Sequence, residues 1–111
     1  MIETEPRTLP GEDGPVSHTD VEAWSRILAS YRHRHPQHEV LLCYGEEELI
    51  QPLAVFYRYP KPSYGQFTVQ VVAYDDDISN VRKLIRLLAE ARGPKAQQFI
   101  PREVHRVLDL F

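Results

Sequence analysis

The chain has 111 residues, of which 42% are hydrophobic and 26% charged, and its formal net charge is −3. This length provides one domain with one hydrophobic core, and the composition is that of an ordinary globular protein. The longest apolar runs are five residues, against about 20 for a spanning helix, which excludes a transmembrane segment. The N-terminus lacks the apolar region of a secretion signal and the only cysteine is Cys43, so we expect a soluble cytoplasmic protein without a disulfide.

The first 18 residues differ in composition from the remainder. They contain four acids, one base, three prolines and two glycines, whereas residues 19–111 balance 12 acids against 12 bases. A segment with so few large apolar side chains cannot offset the entropy of ordering it. We therefore predict a disordered acidic tail over residues 1–18 and a single α+β domain over residues 19–111. The neutral body lacks the basic field of a dedicated nucleic-acid binder.

A helix is predicted from Thr19 or Asp20, both good N-caps, up to the residues before Pro36, because a proline disfavours helical backbone in its predecessor. Its apolar stripe recurs at helical spacing and consists of Val21, Trp24, Ile27, Leu28 and Tyr31.

Three strands are predicted next, over residues 39–44, 53–59 and 66–74. The third has the clearest period of two, with Phe67, Val69, Val71 and Ala73 on one face. The short links between the strands favour an antiparallel meander. Acids at Asp75–Asp76–Asp77 then suit the start of a second helix, and a last short helix is predicted after Pro101, with an apolar edge of Val104, Val107, Leu108 and Phe111. The predicted fold class is α+β, a three-stranded antiparallel meander with helices on one face, in the order α-β-β-β-α-α.

The order α-β-β-β-α over roughly residues 20–92 is similar to the topology of double-stranded RNA-binding domains. That resemblance implies an RNA-binding alternative. The family places lysines at the start of its second helix to contact phosphates, whereas the matching positions here are Asp75, Asp76 and Asp77. Because these carboxylates would repel phosphates, nucleic acid is not the partner we expect.

Three histidines, His33, His35 and His38, lie within six residues beside Arg32 and Arg34. Their spacing matches no zinc motif, and the two arginines would repel a cation, so we predict neither a metal nor another cofactor. The same cluster could instead bind a small anion or an acidic partner.

Tyrosines offer the second candidate site. Tyr74 falls on the face of the third strand opposite its buried residues. The second strand can lie in either of two orientations, and in one of them Tyr57 and Tyr59 share the face of Tyr74. With Arg58 beside them, these residues would form a protein interface, in which tyrosine and arginine are enriched. The opposite orientation turns them inward.

No phosphate-binding loop, nucleophile elbow or metalloprotease motif is present in the sequence. The leading prediction is a non-catalytic protein-interaction or regulatory module, binding a protein partner or a second copy of itself through Tyr57, Tyr59, Tyr74, Arg58, Arg32 and Arg34. The alternatives are a small-anion-binding protein or small hydrolase using His33, His35 and His38, and the RNA-binding domain described above.

Overall fold

A computed structural model describes residues 1–10, 14–103 and 105–111 of the chain. Its strands are β1 (Ile2–Glu3), β2 (Arg7–Thr8), β3 (His38–Tyr44), β4 (Glu47–Glu48) and β5 (Phe67–Ala73). Its helices are α1 (His18–Arg34), α2 (Val55–Arg58) and α3 (Val81–Glu90), with short 3₁₀ segments at Pro52–Ala54, Tyr64–Gln66 and Gly93–Phe99. The predicted α+β class with an antiparallel sheet is confirmed. Glu12 and Asp13 of the predicted tail and Val104 of the predicted last helix lie outside the described residues.

The sheet is built on one long antiparallel pair. β3 pairs with β5 along its whole length, from His38 opposite Ala73 to Tyr44 opposite Phe67. The two-residue β4 pairs with the end of β3, and β1 and β2 both pair with the other edge of β5. The predicted three-stranded meander is therefore wrong in its strand count and order.

Helix α1 begins at His18, and its N-cap lies two residues before Thr19. Ser17 is its N-cap, and a capping box forms because the Ser17 hydroxyl accepts from the Asp20 amide while the Asp20 carboxylate accepts from the Ser17 amide. The apolar stripe of α1 packs on one sheet face, where Trp24 contacts the rings of Tyr64 and Phe67 edge-on. The Trp24 indole also donates to the Ala91 carbonyl at 2.9 Å, which joins α1 to the end of α3.

The core lies between that sheet face and the helices. Its sheet side consists of Val40, Leu42, Phe67, Val69 and Val71, and its helix side includes Ile27, Leu28, Leu84 and Leu88. Side chains on the opposite sheet face, among them Glu39, Leu41, Thr68 and Gln70, are half-buried or exposed, except for Val72. One face of the sheet is thus covered by helices, as the sequence pattern predicts.

The N-terminal segment is part of the fold, which corrects the prediction of a disordered tail for residues 1–10 and 14–18. Backbone hydrogen bonds join Thr4 and Leu9 to β5, and the side chains of Leu9 and Val16 belong to the core. The free edge of β5 satisfies the backbone groups of this segment, and a few apolar residues anchor it. The average composition of the segment shows neither its pairing with β5 nor the burial of these few apolar residues.

The predicted second strand is also wrong, since residues 52–58 form a 3₁₀ turn followed by α2. Pro52 stands at the first position of that turn, where its fixed φ suits helical backbone. Val55 is buried, while Phe56 is half-buried and Tyr57 exposed, so burial follows a helical turn rather than a strict alternation. Without this strand, the topological resemblance to double-stranded RNA-binding domains is not supported.

Asp75, Asp76 and Asp77 form a turn instead of the first turn of a helix. The Asp75 carboxylate accepts from the amide of Asp77, and the Asp77 carboxylate accepts from the amide of Ser79. Aspartate side chains that bond their own backbone in this way compete with helix formation. Helix α3 consequently begins only at Val81.

The predicted last helix does not form within residues 101–103 and 105–111. The Ser30 hydroxyl on α1 donates to the Leu108 carbonyl and accepts from the Leu110 amide, at 2.6 and 3.1 Å. These bonds hold the C-terminal segment against α1 without helical backbone. None of the helices in the described parts of the chain is long and apolar enough to cross a membrane.

Candidate functional site

A cluster of polar side chains lies where α1, β3 and the turn after β5 meet. Helix α1 ends at Arg34, and His35 is its C-cap directly before Pro36. The chain then reverses in a tight turn in which the His38 amide donates to the His35 carbonyl. This reversal brings His38, the first residue of β3, under Tyr31 of α1.

Tyr31, His38 and Asp75 form a hydrogen-bonded chain. The Tyr31 hydroxyl lies 2.7 Å from Nδ1 of His38, and Nε2 of His38 lies 2.7 Å from the Asp75 carboxylate. Because a carboxylate only accepts, the proton of the second bond is on Nε2 of His38, and Nδ1 faces the Tyr31 hydroxyl. Tyr31 and His38 are buried, while Asp75 reaches the surface.

His35 completes the cluster. Its ring is stacked on His38 with centroids 4.6 Å apart, and its Nε2 is 2.9 Å from the side-chain amide of Asn80. Burial, followed by the neighbouring His38, lowers the pKa of His35 below its ordinary value of 6.5. The sequence offered no sign of Asp75 or Asn80 as partners, because both are distant along the chain.

The same surroundings keep the tyrosine protonated. Burial, with smaller contributions from Asp75 and Asp77, raises the pKa of Tyr31 to about 12. A hydrogen bond from the Asp77 amide, assisted by His38, lowers the pKa of Asp75. At neutral pH the Tyr31 hydroxyl therefore keeps its proton, and the Asp75 carboxylate is ionised.

His35, His38 and Asp75 each place one potential ligand atom within 4.8 Å of the other two. A tetrahedral zinc ion needs its donor atoms roughly 3.3 Å apart, with ring lone pairs that converge on it. The two imidazoles are instead stacked at an interplanar angle of 25°, and His38 uses both nitrogens in hydrogen bonds. Binding a metal here would require breaking this network.

The remaining residues of the predicted histidine and arginine cluster lie apart from it. His33 and Arg34 are exposed at the end of α1. The Arg32 guanidinium donates to the Val40 carbonyl at 2.9 Å, where it covers the edge of β3. His33 therefore does not join His35, His38 and Asp75, and the guanidinium of Arg32 is engaged by β3.

The predicted tyrosine face is divided in the same way. Tyr74 lies on the open sheet face and donates its hydroxyl to Glu39. Tyr57 and Arg58 belong to α2, and Tyr59 follows it. They cannot share a sheet face with Tyr74, because residues 53–59 are not a strand. Whether these residues bind a partner stays a prediction.

A different surface lies around α2. It is formed by residues 50–59, which we call the 50–59 segment, and it exposes Ile50, Leu53, Tyr57 and Tyr59. Tyr57 is 92% exposed and Ile50 is 87% exposed. A groove of about 680 Å³ runs along one side of the segment, lined by His18, Ser25, Leu53, Phe56 and Tyr57 among others. A second groove of about 320 Å³, on the other side, includes Glu47, Glu48, Ile50 and Tyr59.

These features define a small α+β domain with an internal tyrosine–histidine–aspartate network and an exposed apolar helical segment. Residues 15–98 match the sequence family named Uncharacterised Treponema protein C-terminal domain, and the chain belongs to this family. It is similar to a protein of Treponema pallidum (strain Nichols) named "Uncharacterized protein", at 28% identity over 92 residues. That match covers 83% of this chain but only 26% of the relative, so the chain spans about a quarter of the relative's length. No solved structure matches the chain.

A pH dependence of stability follows from His35. The pKa of His35 in the folded state lies below 6.5, so near pH 6.5 this histidine binds a proton more readily in the unfolded chain than in the folded chain. The free energy of unfolding therefore falls as the pH drops. The lowered pKa values of Asp75 and Asp77 add a second loss, below their ordinary 3.8. Urea unfolding at about pH 7.5 and about pH 5 should show the first loss, and His35→Gln should reduce it. The exposed His33→Gln is the matched control, and an unchanged difference in His35→Gln would disprove the assignment.

Proposed function

We propose that this chain is a non-catalytic protein-interaction or regulatory module that binds a partner protein through the 50–59 segment. The observation that carries the proposal is the exposure of several large apolar side chains within ten residues, with Tyr57 and Ile50 almost fully in solvent. Large apolar side chains exposed close together along the chain are typical of interaction sites. Tyrosine is also among the residues that contribute most binding energy at interfaces.

Contacts with the core and with neighbouring elements fix the conformation of the 50–59 segment. Val55 is buried in the core, Phe56 stacks on His18 with ring centroids 3.8 Å apart, and Tyr59 packs on Tyr44 at 4.6 Å. Arg58 pairs with Glu47 on the neighbouring hairpin. A segment already fixed in its conformation loses little entropy on binding, so more of the contact energy appears as affinity.

The charges beside the segment indicate the chemistry of the partner. Glu46 and Glu48 are exposed next to it, whereas Glu47 is engaged by Arg58. An apolar surface with an acidic rim is complementary to a partner segment that carries apolar anchors beside lysine or arginine. This partner chemistry differs from the acidic partner expected for the Arg32–His38 corner.

The alternative of a hydrolase or small-anion site at the histidines is less well supported. His35 and His38 are buried, and neither residue lines the grooves beside the 50–59 segment. Both nitrogens of His38 are committed to Tyr31 and Asp75, and Nε2 of His35 is committed to Asn80. These bonds account for the cluster as an internal tether between α1 and the sheet.

The proposal is tested by selecting displayed random peptides of about twelve residues against the immobilised protein. We expect enriched sequences that combine aromatic or aliphatic residues with lysine or arginine. Leu53→Asp/Tyr57→Asp should weaken binding of the selected peptides at least about tenfold, since each removed anchor contributes about 1 kcal/mol or more.

The matched control is Tyr74→Asp/Val107→Asp, which changes one tyrosine and one aliphatic residue that are also exposed but lie outside the segment. Peptide binding by this control should stay within about twofold of the unmodified protein. No enrichment, or equal loss in both variants, would refute the proposal. Sedimentation velocity distinguishes self-association from binding of a different protein. If the protein is a dimer and Leu53→Asp/Tyr57→Asp dissociates it, the partner of the 50–59 segment is a second copy of the chain.

A further inference from the structure

A strongly basic groove lies between α3 and the N-terminal segment, on a surface separate from the 50–59 segment. Its volume is about 950 Å³. Of the lining residues among positions 1–10, 14–103 and 105–111, six are cationic and one, Glu90, is acidic; the cations are Arg7, Arg82, Lys83, Arg86, Arg92 and Lys95. The chain as a whole carries −3, so overall composition does not explain this concentration of positive charge.

Among the described residues, several cations of the groove have weak carboxylate partners or none within ion-pair distance. Arg86 approaches Glu90 at 3.9 Å along α3, and both side chains are exposed, so this pair contributes little. Arg7, Arg82 and Lys95 have no carboxylate within 4.0 Å among residues 1–10, 14–103 and 105–111. Like charges held together destabilise the compact state unless an anion offsets them.

Two of the cations are also oriented by aromatic rings. The Arg92 guanidinium lies 3.8 Å from the centroid of the Tyr64 ring, and Tyr64 is fully buried. The Lys83 ammonium lies 5.6 Å from the centroid of the Phe111 ring. Contacts between cations and ring faces restrict these long side chains, which lowers the entropy lost when an anion is bound.

Carboxylates limit the length of the anion that fits. Glu90 lines the groove itself. A neighbouring groove shares Arg7, Ser79 and Arg82 with it and is lined by Glu5, and Asp77 bonds the Ser79 amide at the same place. A long polyanion would meet these acids, whereas a compact anion stays among the cations. Apolar side chains of Pro10, Ile85 and Ala89 complete the lining and suit an organic moiety.

We propose that this groove binds a compact organic phosphate, such as a nucleotide. The guanidinium groups of Arg82 and Arg86, one helical turn apart on α3, offer planar donor pairs that match phosphate oxygens. The organic part of the ligand lies against Ile85 and Ala89. The proposal does not depend on the 50–59 segment.

Isothermal titration calorimetry with the whole chain tests it, using adenosine triphosphate and inorganic tripolyphosphate as probes at low and at moderate salt. Adenosine triphosphate should bind more tightly than tripolyphosphate because it adds apolar contact, and both affinities should fall as salt rises. Arg82→Gln/Arg86→Gln should weaken binding at least about tenfold.

The matched control, Arg102→Gln/Arg106→Gln, removes the same charge from exposed positions outside the groove and should keep the affinity within about twofold. Two further probes cover the other polyanions, a single-stranded oligonucleotide and an oligoglutamate peptide. Absence of binding by both phosphates at low salt, or equal loss in the control, would overturn the proposal. So would tighter binding of the oligonucleotide or the peptide than of adenosine triphosphate.

Discussion

Deleting residues 1–9 should lower the free energy of unfolding by at least about 3 kcal/mol. The deletion removes β1, β2 and the side chain of Leu9, which is only 2% exposed, together with the bonds that Thr4 and Leu9 make to β5. It also uncovers the edge of β5, which should promote association through unpaired strand groups. Urea unfolding followed by the fluorescence of the buried Trp24, with sedimentation velocity, measures both effects.

Two point variants separate packing from chain length. Leu9→Ala should cost about 2–5 kcal/mol, the range for a fully buried leucine. Glu5→Gln, in the same segment but exposed, should change stability by no more than about 0.5 kcal/mol. If the truncated chain unfolds at the same urea concentration as the full chain, the N-terminal segment is not part of the fold.

Replacing His38 by leucine should destabilise the protein by about 2–4 kcal/mol. The substitution leaves the buried Tyr31 hydroxyl without its hydrogen-bond partner and removes the link to Asp75. The double variant Tyr31→Phe/His38→Leu should recover part of that loss, because removing both partners leaves no unsatisfied hydroxyl. Urea unfolding of the single and double variants forms the corresponding double-mutant cycle.

The coupling in this cycle distinguishes a structural network from incidental proximity. We expect a favourable coupling of about 1 kcal/mol or more between Tyr31 and His38. The control is His33→Leu, which replaces an exposed histidine close to His38 in the sequence. It should leave the free energy of unfolding nearly unchanged. Strictly additive losses from Tyr31→Phe and His38→Leu would contradict the proposed tether.

The elements that the sequence predicts well are those with long, regular patterns. The stripe from Val21 to Tyr31 indicates α1, and the alternation from Phe67 to Ala73 indicates β5, because periodic burial leaves a repeated signal. The start of α1 is less certain, since Ser17, Thr19 and Asp20 are all good caps and only the capping box in the structure selects Ser17. The predicted antiparallel sheet and the α+β class are confirmed on this basis.

The errors share a physical cause, which is that short segments take their conformation from distant partners. The apolar run from Leu53 to Tyr57 suits a strand or a helix equally well, and its packing on His18 and Tyr44 selects the helix. The N-terminal segment is ordered by the edge of β5, which local composition does not reveal.

The candidate sites illustrate the same limit. The sequence draws attention to His35 and His38 through their spacing, but their partners Asp75 and Asn80 come from the turn after β5. Similarly, Arg82 and Arg86 read as the solvent-facing side of α3, and only the fold places Arg7 and Lys95 opposite them in one groove. Long-range proximity of this kind is set by the tertiary structure and leaves no local signature.

The proposed binding of a partner by the 50–59 segment is tested most directly by NMR. The measurement maps the changes in backbone amide chemical shifts when a peptide selected against the protein is added. We expect the largest shifts at residues 50–59 and in the neighbouring Glu46–Glu48 hairpin. Shifts concentrated on the open sheet face around Tyr74, or on the basic groove along α3, with the 50–59 segment unperturbed, would contradict the account.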